Sequence, residues 1–397
     1  MTLRDDGETI GLFEPLMISE GSPKRAELND LALELATRSA SFRSSLPASI
    51  AESLADLIRS MNCYYSNLIE GHNTHPVDIE RALINDYSSD PEKRDLQLEA
   101  KAHIALQKWI DEGGLEGRAS APDAILELHR RFCELLPPDL LFVEHPNTGE
   151  NLPVIPGALR EHDVEVGRHI AVSPGAVPRF LKRMDEAYAK AGKIDSILAA
   201  ACAHHRLLWV HPFLDGNGRV ARLMSYAMLK SALDTQGLWS VARGLARNEA
   251  EYKRHLAACD GPKRGDRDGR GTLSEAALAE FTAFFLHTCI DQVVFMEDLM
   301  RPARLRDRIL IWAEEEIRAG TLPSKSDVIL RAVTMQGELT RAEAVDLLGL
   351  TERSARRVTS ALLEIGALAA TSTRAPLKLA FPAKLAGRWM PGLFPEE

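Results

Sequence analysis

The twelve residues His211–Arg222, HPFLDGNGRVAR, hold one imidazole, one carboxylate, an amide between two glycines and two guanidinium groups. His211 ends the apolar run Leu207-Leu208-Trp209-Val210, and Pro212 biases the residue before it away from the helical region. The imidazole is therefore expected at a helix end, with a pKa near neutrality, where it can act as a base. Gly216-Asn217-Gly218 lets successive N–H groups point one way and form an anion-binding nest. Arg219 opens the apolar-periodic stretch VARLMSYAML, and a nest at a helix N-terminus suits a phosphate. Arg219 and Arg222 are three apart, so they are neighbours on the first turn, and two guanidiniums suit a polyphosphate better than a single carboxylate. Asp215 adds a hard oxygen of the kind that Mg²⁺ on a nucleotide prefers. Taken singly, these residues read as a capped core histidine, two turn dipeptides and a solvated helix face. Taken together they describe phosphoryl or nucleotidyl transfer to a hydroxyl.

The surrounding elements are mostly helical. Ile50, Leu54, Leu57, Ile58, Met61 and Leu68 recur at helical spacing and predict one buried face, with Gly71 as its stop. Residues 121–136 and 196–210 have the same spacing. GALREHDVEVGRHIAV, residues 157–172, breaks the pattern: Val164, Val166, Ile170 and Val172 alternate with polar residues around Gly167, as in a strand or hairpin. A helix restarts near Pro178, the charged loop GPKRGDRDGRG is exposed, and a long helix opens at Ser274-Glu275 and runs to about Met300. From about residue 302, a helix, a turn at Gly349 and a helix capped by Thr351 precede two short strands, which reads as a helix-turn-helix with a wing. Arg353, Arg356 and Arg357 lie on its second helix at a spacing that could face a DNA groove; a packing or dimerisation domain with solvated arginines is the alternative.

Composition narrows the class. The chain has 397 residues, 45% hydrophobic and 26% charged, as in a globular protein with real cores. No uncharged apolar run reaches 18 residues, so no membrane association is expected. The N-terminus is acidic and unlike a secretory signal, and five scattered cysteines read as reduced core thiols, so a cytoplasmic setting is expected. The net charge of -9 argues against a whole-surface nucleic-acid binder, although residues 301–397 carry 15 basic against 12 acidic side chains.

The stretch His211–Arg222 resembles the Fic family signature H-P-F-x-[DE]-G-N-G-R-x-x-R at every specified position. AHHRLLWVHPF resembles the family's helix into the motif, residues 156–180 its flap hairpin, and ARNEAEYKRHL a later helix on the nucleotide side. The resemblance covers roughly residues 30–295. It implies an all-α fold with a short β-hairpin flap, here with a small C-terminal winged-helix domain. The implied segments are 1–110, an N-terminal helical region; 111–300, the catalytic core; and 301–397, the winged helix-turn-helix. The implied activity is transfer of AMP from ATP to a Ser, Thr or Tyr hydroxyl of a protein. In that scheme His211 deprotonates the hydroxyl, Asp215 holds Mg²⁺, and Gly216, Asn217 and Gly218 bind the phosphates. Arg219 and Arg222 neutralise the leaving pyrophosphate. Val164, Val166, Gly167 and Ile170 dock the target as an added strand. Tyr252 is assigned to the adenine pocket, with core packing as the alternative.

SNLIEG, Ser66–Gly71, resembles the family's inhibitory motif [ST]-x-x-x-E-[GN]. Ser66 and Glu70 share one helix face, and the resemblance implies that Glu70 pairs with Arg222 and keeps the γ-phosphate from its place. Alternative readings are a DNA-binding regulator with a nucleotide-sensing Fic fold, and a Fic enzyme that removes AMP or uses another nucleotide. A homodimer that regulates release of the Glu70 helix is compatible with the sequence, which names neither the target nor the oligomeric state.

Overall fold

The computed structural model describes residues 3–146 and 148–395. Helices α1 (Arg25–Ser44), α2 (Ala48–Ile69), α3 (Pro76–Leu83), α4 (Pro91–Asp111) and α5 (Pro122–Cys133) lead to two antiparallel hairpins. These are β1–β2 (Phe142–Glu144, Asn151–Pro153) and β3–β4 (Glu165–Val166, His169–Ile170). Next come α6 (Val177–Tyr188), α7 (Lys193–Val210), α8 (Asn217–Leu233), α9 (Ala242–Arg247), α10 (Glu249–Cys259) and α11 (Glu275–Leu299). The C-terminal part holds α12 (Pro302–Ala319), α13 (Ser326–Gln336), β5 (Glu338–Leu339), α14 (Arg341–Leu348), α15 (Glu352–Glu364), β6 (Leu368–Ala369), β7 (Leu377–Leu379) and α16 (Ala383–Trp389).

The chain forms two units. The first comprises residues 1–39, 62–235 and 240–292; the second comprises residues 40–61, 236–239 and 293–397. In the first, α7 and α8 pack along each other and are joined by the loop His211–Gly216, with α6 on α7 and both α4 and α5 on α8. The helix starts follow from side chains. The Asp90 carboxylate accepts from the N–H groups of Glu92 and Lys93 ahead of Pro91, and the His75 ring accepts from Val77 N–H ahead of Pro76. The expected stop at Gly71 is present: φ is +86°, and His72 N–H donates back to the Asn67 carbonyl at 2.9 Å.

From α12 the second unit runs helix, helix, strand, helix, helix, strand, strand, helix, and its sheet order is β5-β7-β6. Thr340 and Glu343 form a reciprocal cap on α14, Gly349 ends that helix at φ +58°, and Thr351 caps α15 as expected. Trp312, Phe381 and Trp389 meet edge to face in its core, where Trp389 is fully buried. Lys378 on β7 reaches Glu52 at 2.7 Å.

Several expectations need adjusting. Leu68 is only half-buried, because the buried face of α2 ends on Ile69 as the helix closes. The flap strands are two residues each; Val164 and Val172 lie outside them, and Val172 is buried. The hairpin β1–β2 was not foreseen, since HPNTGE reads simply as loop. All five cysteines are buried and free. By length and composition alone α11 could cross a membrane, although 61% of its most apolar window is buried inside the protein, as in a core helix.

Burial pushes five histidines down: His103 and His204 to about 3, and His129, His205 and His211 to about 4. An unfolded chain protonates such rings near pH 6.5. Their contribution to stability is therefore fully present above about pH 6.5 and is lost as the pH falls towards 4. Thermal unfolding followed from pH 7.5 to 5 should show little change above about pH 6.5 and, below it, stability dropping by up to about 1.4 kcal/mol per pH unit for each ring the folded state keeps neutral. A flat profile would contradict these burial assignments.

Candidate active site

The loop between α7 and α8 is held open by its own side chains. His211 caps α7 in the left-handed region, at φ +49°, and Gly216 precedes α8 at φ +80°. Asn217 is buried, and its side chain is committed to the loop. Its Oδ1 accepts from Phe213 N–H at 2.9 Å and its Nδ2 donates to the Phe213 carbonyl at 2.8 Å. What Asn217 offers a phosphate is thus its main-chain N–H. The N-cap, Gly216, carries no capping side chain, so the first-turn N–H groups of α8 face the site.

The His211 imidazole is mostly buried, and its Nδ1 faces the Leu208 carbonyl at 3.4 Å, which leaves Nε2 as the basic nitrogen. Burial, aided by the charges of Arg160 and His169, pushes it down to about 4, against the pull of Leu208 and Asp215. The pKa therefore lies below the expected neutral range, and the ring is held in its neutral form, with Nε2 as an acceptor.

Arg160, which sequence reasoning passed over, holds this arrangement in place. It is buried, and its Nε donates to the His211 carbonyl at 2.7 Å, its Nη1 to the His162 carbonyl at 2.9 Å and its Nη2 to the Val172 carbonyl. Its main-chain N–H donates to the Pro212 carbonyl at 3.0 Å. One side chain thus ties the base of the β3–β4 hairpin to the loop His211–Gly216. His129 does similar work on the other side. Its ring stacks on Phe213 at 3.9 Å, and its Nδ1 accepts from Gly157 N–H at 3.0 Å. Nothing in the local pattern around Arg160 or His129 announces these roles, because each acts through partners that are remote in sequence.

Both motif arginines are occupied. Arg222 donates from Nε to the Ser66 hydroxyl at 2.8 Å, and from Nη2 to the Ser66 carbonyl at 3.1 Å and to Glu70 Oε1 at 2.5 Å. The Glu70 side chain is 32% exposed. Burial pulls its carboxyl up, but the Arg222 charge and hydrogen bond, with Arg219 and His72 nearby, outweigh that and hold it below the ordinary range. A Cβ on Gly218 would lie 2.3 Å from Glu70 Oε1, so the carboxylate sits directly on the first turn of α8, over the nest. Gly71 supplies the turn just after it. Arg219 pairs with Glu99 from α4 and reaches Asp215 at 3.4 Å, over the ring of Phe132. Asp215 itself is more than half exposed. Among the described residues no group of three or more His, Cys, Asp or Glu side chains could hold a metal ion.

Tyr252 is placed differently from the adenine-pocket assignment. It is buried, and its hydroxyl donates to His204 Nε2 at 2.6 Å, while His204 Nδ1 meets Ser225 at 2.9 Å. This burial agrees with the core-packing alternative, and the hydroxyl also lies beside Arg222 and Glu70. On the flap, Val166, Gly167 and Ile170 are exposed and Val164 half so; His169 Nε2 donates to the Trp209 carbonyl at 2.7 Å. Arg353, Arg356 and Arg357 are exposed on α15.

Residues 118–229 match a family model described as Fic/DOC family. A protein named Protein adenylyltransferase Fic from Nematostella vectensis is 30% identical over 173 residues, 43% of this chain and 37% of that protein. Its namesake from Drosophila willistoni is 27% identical over 171 residues, 43% of this chain and 31% of that protein. The chain thus spans about a third of the length of these relatives. The crystal structure of a Fic family protein from Desulfovibrio desulfuricans G20 has the same fold: the TM-score is 0.52 at 17% identity, over 92% of this chain and 98% of that one. The chain carries a Fic domain on a mostly helical Fic fold. The matched residues include His129, Arg160 and the whole of His211–Arg222, while Glu70 and Glu99 lie outside them.

In a proton NMR titration the His211 ring should stay neutral down to about pH 4, and Arg160→Ala should raise its midpoint towards the ordinary value of about 6.5 by opening the loop and removing a neighbouring charge. A midpoint of about 6.5 in the unaltered folded protein would refute the burial argument.

Proposed function

We propose that this chain, whose residues 118–229 form a Fic/DOC family domain, is an autoinhibited protein adenylyltransferase that moves AMP from ATP to a Ser, Thr or Tyr hydroxyl of a protein, itself included. Support for the transfer comes from the neutral His211 beside an uncapped helix start with two guanidiniums, together with relatives named protein adenylyltransferase. In the step, the target oxygen bonds to the α-phosphorus as His211 Nε2 takes its proton. The bond from the α-phosphorus to the bridging oxygen breaks, and pyrophosphate leaves with its negative charge facing Arg219 and Arg222. The open edge of the β3–β4 hairpin, with Val166 and Ile170 exposed, supports docking of the target segment by strand addition.

Asp215 is the residue that would hold Mg²⁺. It is a single, largely exposed carboxylate with no cluster of ligands around it, which fits an ion that keeps waters and takes most of its oxygens from phosphates. Bound there, the ion would offset phosphate charge.

The inhibited state rests on one observation: Glu70 holds Arg222 at 2.5 Å and lies over Gly218. A γ-phosphate needs that guanidinium and that space, and the carboxylate also repels it. A second reading is supported by the exposed Arg353, Arg356 and Arg357 on α15, in a helix-turn-helix followed by two strands. In this reading the C-terminal unit binds DNA, and duplex affinity falls with salt and with loss of Arg356 and Arg357.

Purified protein incubated with Mg²⁺ and α-labelled ATP tests the first reading. Glu70→Gly should label itself roughly ten- to a hundredfold faster than wild type, as expected from losing a charge-assisted hydrogen bond of about 1.5–3 kcal/mol. Glu70→Gly combined with His211→Ala should not label. Equal labelling of wild type and Glu70→Gly would remove the brake. No labelling of Glu70→Gly, with ATP or any other nucleoside triphosphate, would remove the transferase.

A further inference from the structure

Glu70 is one of two carboxylates on the phosphate-binding arginines. The second, Glu99, projects from α4, and both of its oxygens are in use. Oε1 accepts from Arg219 Nη1, and Oε2 faces His72 Nδ1 at 2.7 Å. The Glu99 and Arg219 side chains are each more than nine-tenths buried, whereas that of His72 is 41% exposed. His72 stands two residues beyond Glu70, and the left-handed turn at Gly71 is what brings its ring back over Glu99. The Arg219 Nε donor is buried and has no partner, so the guanidinium is gripped by Glu99 and Asp215 while one donor stays unspent.

We propose that Glu99 is a shared anchor: it positions Arg219 with one oxygen, and with the other it latches His72, and through it the chain that carries Glu70 onto Arg222. The inference rests on the inhibited-transferase reading and adds the group that keeps the brake in place. Glu70 itself is attached at one point, to Arg222, and its side chain is 32% exposed. His72–Glu99 adds a second attachment on the far side of Gly71, so Glu70 leaves the nest only when both let go.

The latch is sensitive to protons. The groups that face His72 are Glu99 from α4, Arg219 from α8, and Glu70 on its own segment. The hydrogen bond to Glu99 raises the His72 pKa, against partial burial and the Arg219 charge. A charged imidazole donates more strongly to a carboxylate than a neutral one. The latch is therefore tight at low pH and loosens as the pH rises through the raised pKa of His72. His211 does not titrate in that window, because it stays neutral down to about pH 4.

The test is the initial rate of self-labelling by the full chain at pH 6 and pH 8.5, for wild type, His72→Phe, Glu70→Gly and the double variant. His72 touches no phosphate-binding atom and its ring is half exposed, so its replacement leaves the fold intact. Expected at pH 6 is a roughly three- to tenfold rise in His72→Phe over wild type, and no further rise when His72→Phe is added to Glu70→Gly. Relative to Glu70→Gly at the same pH, wild type should speed up towards pH 8.5 and His72→Phe should not. Glu99→Gln should abolish that pH-dependent rise as well. The proposal is overturned if His72→Phe labels like wild type, if it lowers the rate equally in both backgrounds, or if wild type and Glu70→Gly share one pH profile. Should Glu70→Gly fail to label at all, the transferase reading falls while the latch is still read from nucleotide binding. Binding of a fluorescent ATP analogue should be at least threefold tighter to His72→Phe than to wild type at pH 6, and unchanged binding would overturn the latch by itself.

Discussion

Everything at the site turns on the Arg222 guanidinium, a buried cation that cannot be left unpaired. Removing it from water is costly, so the folded chain must supply acceptors, and it does so with the Ser66 hydroxyl, the Ser66 carbonyl and the Glu70 carboxylate. All three come from the last turn of α2 and the residue beyond it. Glu70 takes one edge of the guanidinium and Ser66 the rest. A neutral side chain in place of Arg222 would leave Glu70 without its reason to fold over Gly218.

The catalytic loop solves a different problem. It must hold six residues in a conformation with two left-handed positions, and it must leave the start of α8 bare. Asn217 closes the loop on Phe213, His129 stacks against Phe213, and Arg160 fastens the carbonyl of His211. These are inward-facing bonds, and they leave the reactive groups free of structural duty. His211 therefore keeps an unencumbered nitrogen and α8 an uncapped first turn.

Legibility from sequence followed the range of each interaction. The helices, the stop at Gly71, the caps at Thr351 and Gly349 and the long α11 were readable because propensity, capping and periodicity act within a few residues. The block His211–Arg222 was readable because its chemistry is contiguous. Glu70 on Arg222 was accessible only through a family pattern, since 152 residues separate the partners. Glu99, His72, Arg160 and His129 were missed: each is an ordinary charged or imidazole residue in its own segment and acquires its role only when α4, α5 and the flap meet α8. Tyr252 stood between two readings for the converse reason. An aromatic on a helix face has the same spacing whether it meets a ligand or His204, and its burial against His204 emerges only on packing. The burial that lowers the His211 pKa was not legible, because sequence shows the residue but not the depth at which it lies.

The five buried, uncharged imidazoles have a consequence for how acid inactivates such a protein. The proton that would silence His211 is resisted by the same burial that keeps His204, His205, His129 and His103 neutral. Those rings lie in α4, α5 and α7, the helices on which the site is mounted. Acid strong enough to charge the His211 ring therefore also charges rings in the helices around it. Protonation of that ring and loosening of the helices around it are thereby coupled, apart from any change at the half-exposed His72.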